Sequence, residues 1–168
     1  MLSLAKIEQL RQQKDYQWLD WAPSVREIAL DLSPLIAAKS LDFEIETQPC
    51  TVLAHAWILR EMTRNLLDNA IRYCPVGASL RIDLRQKGEH AVLLIADAGP
   101  GMDAAQSKHL FQPFATERPV SGSGLGLTIA REMVLALGGE ISLENRCEAS
   151  RVVGLDALIR LPRTNSMG

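Results

Sequence analysis

The sequence predicts an α+β fold, a two-layer sandwich in which helices cover a single face of one sheet. Three observations carry that reading. Apolar and polar residues alternate at 41–46, 80–84, 141–144 and 152–161, the period of half-buried strands, and the unbroken apolar run 91–96 reads as a fully buried strand. Apolar residues return at three- and four-residue steps around 25–38, 55–73 and 125–137, the period of helices. Turns such as Lys87, Gly88 and Glu89 are short enough only for antiparallel neighbours, which leaves the helices to gather on one side.

In chain order, Leu2, Leu4, Ile7 and Leu10 are loosely periodic and predict a short helix over residues 2–14 whose apolar face needs a partner. Residues 15–22, with Trp18 and Trp21, read as a linker or docking segment. Ser24 and Glu27 fit a capping box that opens a helix reaching about Lys39, kinked at Pro34. The 41–46 strand, the 55–73 helix and the 80–84 and 91–96 strands follow. Gly138 and Gly139 stop the last helix ahead of the strand at 141–144, and residues 163–168 form a frayed tail.

With 168 residues, 47% of them hydrophobic and 23% charged, the chain has the make-up of one soluble globular core. A net charge of −2 and the absence of a long basic run exclude nucleic acid as the main partner. No apolar stretch is long enough to span a membrane, and the first residues lack the apolar core of a signal peptide. Cys50, Cys74 and Cys147 have no metal-ligand spacing and fit structural thiols in a reducing cytosol. His55, His90 and His109 form no ligand or nucleophile arrangement.

Chemistry concentrates in three places. Asp97 ends the 91–96 run, so its carboxylate emerges at a strand end, where it can accept a hydrogen bond from an adenine amine. Gly99 and Gly101 then let the backbone turn and a flat ligand come close. Gly122, Gly124 and Gly126 precede the apolar-periodic stretch 127–137, putting free backbone N–H groups at a helix start, where phosphate binds. Either glycine cluster alone is equally a turn and a helix cap, and the lysine of a P-loop is missing. The third place is residues 60–74. Met62, Leu66, Leu67, Ala70 and Ile71 form the apolar stripe of a helix, Glu61, Asn65, Asp68 and Arg72 share its other face, and Asn69 and Tyr73 sit at the edge. Two carboxamides a turn apart beside a carboxylate suit Mg2+ shared with substrate phosphates, Arg72 suits phosphate charge, and Tyr73 offers a ring for stacking. A solvated polar face is the alternative, although asparagine is a costly choice for one.

Taken together, these elements resemble the catalytic and ATP-binding domain of sensor histidine kinases, within the superfamily that includes gyrase, the Hsp90 chaperones and MutL. Residues 61–70 match the asparagine box, 97–101 the first glycine box, Phe111 to Phe114 the phenylalanine box, and 122–127 the second glycine box. The resemblance covers roughly residues 40–162. It implies a Bergerat-type fold with a mixed, mostly antiparallel sheet. It also implies that Asp97 binds the adenine amine, that Asn65 and Asn69 hold Mg2+, and that Arg72 and Tyr73 contact phosphate and base. Gly99, Gly101, Met102, Gly122, Ser123, Gly124, Leu125, Gly126 and Leu127 would line the ATP. Residues 102–123 would form a short lid, with a helix from a capping box at 103–106 through Leu110, and with Phe111 and Phe114 as its anchors. Arg118 is either a lid contact to the terminal phosphate or a solvated charge. Asn65 and Glu61 are the catalytic candidates; Glu61 orients or deprotonates an acceptor imidazole, or is a surface carboxylate paired with Arg64 or Arg72.

The resemblance further implies an organisation of residues 1–22 as the end of a dimerisation helix and linker, 23–162 as the catalytic domain and 163–168 as tail. The function it implies is transfer of the ATP γ-phosphate to a histidine. The family's acceptor motif does not occur in the sequence, so the acceptor is expected on a separate dimerisation domain, with a response regulator downstream and a membrane-anchored homodimeric parent around a cytoplasmic domain. A nucleotide-binding regulatory module and a serine kinase of the anti-sigma-factor type share the same pocket and stand as alternatives.

Overall fold

The computed structural model describes residues 16–101 and 125–163. The elements run β1 (Gln17–Asp20), α1 (Trp21–Asp31), α2 (Ser33–Ala38), β2 (Asp42–Thr47), β3 (Thr51–Ala54), α3 (Ala56–Tyr73), β4 (Ser79–Lys87), β5 (His90–Asp97), α4 (Leu125–Ala136), β6 (Glu140–Glu148) and β7 (Arg151–Pro162). Five strands form a sheet in the order β2-β4-β5-β7-β6. β2 runs parallel to β4, and every other neighbouring pair is antiparallel, so the sheet is mixed and mostly antiparallel as expected.

Alternation along the strands decides which face is covered. Leu80, Ile82 and Leu84 of β4, Leu93 and Ile95 of β5, and Ile159 and Leu161 of β7 are buried in one cluster with Met62, Leu66 and Leu67 of α3 and Ala130, Met133 and Val134 of α4. Burying a large aliphatic side chain contributes about 1.5–3 kcal/mol, so this interlayer seam dominates the fold's stability. The opposite sheet face carries Arg81 and Arg85, which flank the nearly buried Asp83; Arg85 Nε donates to Asp83 Oδ1 at 2.6 Å and Arg81 Nη2 to Oδ2 at 3.3 Å. Gly138, with φ +76°, ends α4, and the Gly139 N–H reaches back to the Val134 carbonyl at 2.9 Å.

Of the two readings of residues 15–22, linker or docking segment, the structure fits the second: from Tyr16 onward the segment pairs and packs against the domain. β1 pairs antiparallel with β3, and Trp21 has no exposed surface. The indole Nε1 of Trp21 donates to Thr63 Oγ1 at 3.0 Å, and that hydroxyl donates to the Leu59 carbonyl at 2.7 Å. The capping box at Ser24 is corrected. α1 starts four residues earlier, because Asp20 Oδ1 accepts from both Ala22 N at 3.1 Å and Cys50 N at 2.9 Å. One carboxylate thus caps the helix and holds the chain after β2, a tertiary demand that Ser24 could not meet. The expected kink is present as a break at Leu32, with Pro34 in the first turn of α2, where its missing N–H costs nothing.

Lys39, just past α2, closes the C-terminal end of α3. Its Nζ donates to the carbonyls of Ile71 at 2.8 Å, Arg72 at 2.7 Å and Cys74 at 2.9 Å. They lie at the negative pole of the helix dipole, where intrahelical donors run out; the Ile71 carbonyl also accepts from Cys74 N at 3.3 Å. Lys39→Met is expected to lower unfolding stability by about 2 kcal/mol, read as a lower urea midpoint at unchanged slope; an unchanged midpoint would show that water serves those carbonyls as well.

Cys50 and Cys74 are buried. Burial, with help from Asp20, pushes the Cys50 thiol up to about 11, and Cys74 Sγ donates to the Ser79 carbonyl at 3.4 Å, both in keeping with packing roles. Cys147 is exposed.

Candidate functional site

α3 is capped at its start by His55, whose Nδ1 accepts from Trp57 N at 3.2 Å. Eight of its residues, from Ile58 to Ile71, are buried against the sheet and neighbouring helices. That leaves Glu61, Asn65, Asp68 and Asn69 half-buried along one flank, with Arg72 exposed at its end. The two carboxamides therefore stand a turn apart at the margin of the core, beside the Asp68 carboxylate. Arg72 Nη2 lies 3.3 Å from Asp68 Oδ2, and Arg64 Nη2 lies 3.0 Å from Asp31 Oδ2. The guanidiniums offered as partners for Glu61 thus reach other carboxylates.

Asp97 is the last residue of β5, and only 5% of it is exposed. Its Oδ1 accepts from Gly99 N at 2.8 Å. Burial pushes its carboxyl above the usual carboxylate range, opposed by the Gly99 N–H bond, by the Leu155 backbone and by the Arg146 charge, while Asp156 adds to the rise. Gly99 brings this carboxylate against the end of α3: a Cβ at position 99 would lie 2.7 Å from the Tyr73 carbonyl oxygen and 3.0 Å from Asp97 Oδ1. Gly101 has φ +75°, and a Cβ there would collide with Asn145 and come within 2.6 Å of Val152 Cγ1. Both glycines are needed for the turn that follows the carboxylate.

The structure thus brings Tyr73, Asp97, Gly99 and Gly101 together at one end of the sheet. Leu125 and Gly126 open α4, as the glycine-rich bend predicts, and Leu127 is buried in the core. α4 packs along α3. Met102, Arg118, Gly122, Ser123 and Gly124, with Phe111, Phe114 and the helix expected before them, lie outside the described residues, as does the helix expected over 2–14.

Three residues of the site escaped the sequence reading. Arg146 Nη2 donates to the Asp97 carbonyl at 2.9 Å, its Nη1 pairs with Asp156, and Gly154 leaves room for both contacts. A glycine inside the alternating run 152–161 was the one available signal, since glycine in a strand marks close approach of another group.

Among the described residues, no three His, Cys, Asp or Glu side chains form a metal cluster. A cation here would take hard oxygen donors, and the Asn65 and Asn69 carboxamides with the Asp68 carboxylate are a donor set that fits magnesium retaining part of its water shell. Among the described residues, no helix is long and apolar enough to cross a membrane.

The family described as histidine kinase-, DNA gyrase B- and HSP90-like ATPase matches residues 55–165. The autoinducer 2 sensor kinase/phosphatase LuxQ of Vibrio vulnificus is 30% identical over 89% of this chain, which spans 19% of that protein's length. The sensor protein kinase PmrB of Pseudomonas aeruginosa is 28% identical over 98% of this chain, which spans 34% of it. Among solved structures, a mycobacterial sensor histidine kinase MprB superposes with a TM-score of 0.74 at 29% identity, covering 88% of this chain and 97% of that one.

Proposed function

This chain belongs to the histidine kinase-, DNA gyrase B- and HSP90-like ATPase family, and from that premise we propose that it is the ATP-binding catalytic domain of a sensor histidine kinase. In this reading it passes the γ-phosphate of ATP to a histidine on a separate helical dimerisation domain, from which a response regulator is served. The parent is a membrane-anchored homodimer in the same reading. The observation that carries the proposal is the convergence of the buried Asp97, the Gly99 close approach and the end of α3 at Tyr73.

Each residue then has a task set by its chemistry. Asp97 accepts the adenine amine in a pocket from which water is largely excluded, so the base is chosen by a directed bond. Tyr73, exposed at the end of α3, offers its ring to the base. Arg72 faces phosphate charge as a planar, permanently charged donor. Asn65 and Asn69 would hold Mg2+ through their carboxamide oxygens, and the ion would supply neutralisation of the phosphate charge. Glu61, on the same flank, orients or deprotonates the incoming imidazole. In the same reading Gly122, Ser123, Gly124, Leu125 and Gly126 bind phosphate through their backbone N–H groups, Met102 and Arg118 contact the nucleotide, and Leu127 is buried in the core behind them in sequence. Catalysis is mostly positioning and charge neutralisation, which suits a site built from helix and strand ends.

Incubation with γ-labelled ATP, Mg2+ and a separately produced histidine-bearing helical domain tests the proposal. The expected product is an acid-labile, base-stable phosphohistidine on the acceptor. Nucleotide binding with no label transferred would replace it with a regulatory module, and an acid-stable phosphoserine would replace it with a serine kinase. Asn65→Ala is expected to slow labelling about a hundredfold and to flatten its dependence on Mg2+ concentration; a variant with unchanged magnesium dependence would remove Asn65 from the ion's site.

A further inference from the structure

The end of β5 is held from outside its own ladder. Arg146 of β6 is in register with Gly154 of β7, next to the irregularity between Arg146 and Cys147. Because Gly154 has no side chain, the guanidinium lies across it: a Cβ at 154 would collide with Arg146 Nη2 and with the Asp97 carbonyl oxygen, and would sit 3.0 Å from Arg146 Cζ. From there Nη2 donates to the Asp97 carbonyl at 2.9 Å, and Nη1 is bound to Asp156 Oδ1. Asp156 stands opposite Ala96 on β5 and Glu144 on β6, so the fork spans three strands. The residue before Arg146, Asn145, is the one a Cβ at Gly101 would strike. Consecutive residues of β6 thus meet both ends of the turn from Asp97 to Gly101.

We propose that Arg146 is a positioning residue for adenine recognition, its forked guanidinium fixing the main chain of Asp97 and thereby the direction in which the Asp97 carboxylate meets the base. The inference rests on the nucleotide reading of Asp97. A pair half open to solvent, with Arg146 and Asp156 side chains 38% and 30% exposed, would by itself add little to stability. The bond to the Asp97 carbonyl is what gives the arginine a bearing on the site. Among the described residues, the charged side chains that face the Asp97 carboxyl are Arg146, whose charge favours ionisation, and Asp156, which opposes it.

The test uses Arg146→Met and Arg146→Lys in the full chain, with two readouts: carbon-13 titration of the Asp97 carboxyl and ATP affinity by calorimetry. Arg146→Met is expected to move the Asp97 midpoint to higher pH and to weaken ATP about tenfold. Arg146→Lys restores the charge but not the fork, so the midpoint returns while affinity stays several-fold weak with an unchanged melting temperature. If Arg146→Met does not fold, Arg146→Lys alone decides by its affinity. An Asp97 titration and ATP affinity indifferent to a folded variant would overturn the proposal. Absence of ATP binding by the wild-type chain, with the Asp97 midpoint still moved by Arg146→Met, would sink the nucleotide reading and leave the Arg146–Asp97 coupling standing.

Discussion

Asp97→Asn is expected to weaken ATP binding about a hundredfold while leaving the unliganded domain as stable as before, or more so. The carboxylate already accepts an N–H bond from Gly99, and the adenine amine is a second donor. An ionised carboxylate has acceptor sites for both; an amide has one acceptor oxygen, and its NH₂ would confront one of the donors. Losing a charge-assisted bond and leaving a buried donor unpaired together cost about 2–3 kcal/mol. The stability side has the opposite sign. Asp97 is harder to ionise in the folded state than in the unfolded chain, so the charged form costs the fold. That cost vanishes at a pH below the unfolded value, where the group is protonated in both states, and grows as pH rises through the folded value. At neutral pH the neutral amide removes it. For the same reason wild-type ATP affinity should fall as pH drops through the Asp97 midpoint, and Asp97→Asn should lack that limb. Displacement of a fluorescent nucleotide across a pH series, with urea melts of both proteins, measures the two effects. Equal affinity in the variant would take Asp97 out of base recognition.

Trp21→Ala is expected to cost about 3–5 kcal/mol of unfolding stability. The indole has no exposed surface, and its loss leaves a void under α1 and α3 and strips the donor from Thr63 Oγ1. A domain with 5–15 kcal/mol of total stability would be largely unfolded by such a loss under mild warming. Guanidinium melts of wild type and variant decide the matter. A loss below 1 kcal/mol would mean that the segment before residue 23 is the detachable linker its sequence resembles.

Trp21 also shows where sequence reasoning stopped. Long alternating strands and the two longest helices carry their periodicity within themselves, so β2, β4, β5, β6, β7, α3 and α4 were legible, and the glycines around Asp97 announced the turn. β1 and β3 are four residues each, too short for a period to show, and they exist because each completes the other. The Ser24 capping box satisfied every local rule, yet Asp20 caps α1 because it alone also reaches Cys50 N. Lys39 meets α3 across more than 30 residues, and Arg146 meets Asp97 across 49. Contacts of that span leave no mark in a window of residues. At the site, the carboxylate and its glycines were readable as chemistry, whereas the arginine that holds them was not.

The central claim is that nucleotide sits at the Asp97 end of the sheet beside α3. Titration of isotopically labelled protein with Mg-ATP, followed amide by amide, tests it most directly. The account predicts saturable shifts at Asp97, Gly99 and Gly101 and along Asn65, Asn69 and Tyr73, with Arg81, Asp83 and Arg85 on the opposite sheet face unmoved. Shifts centred on that outer face, or none at Asp97 at saturating nucleotide, would contradict it.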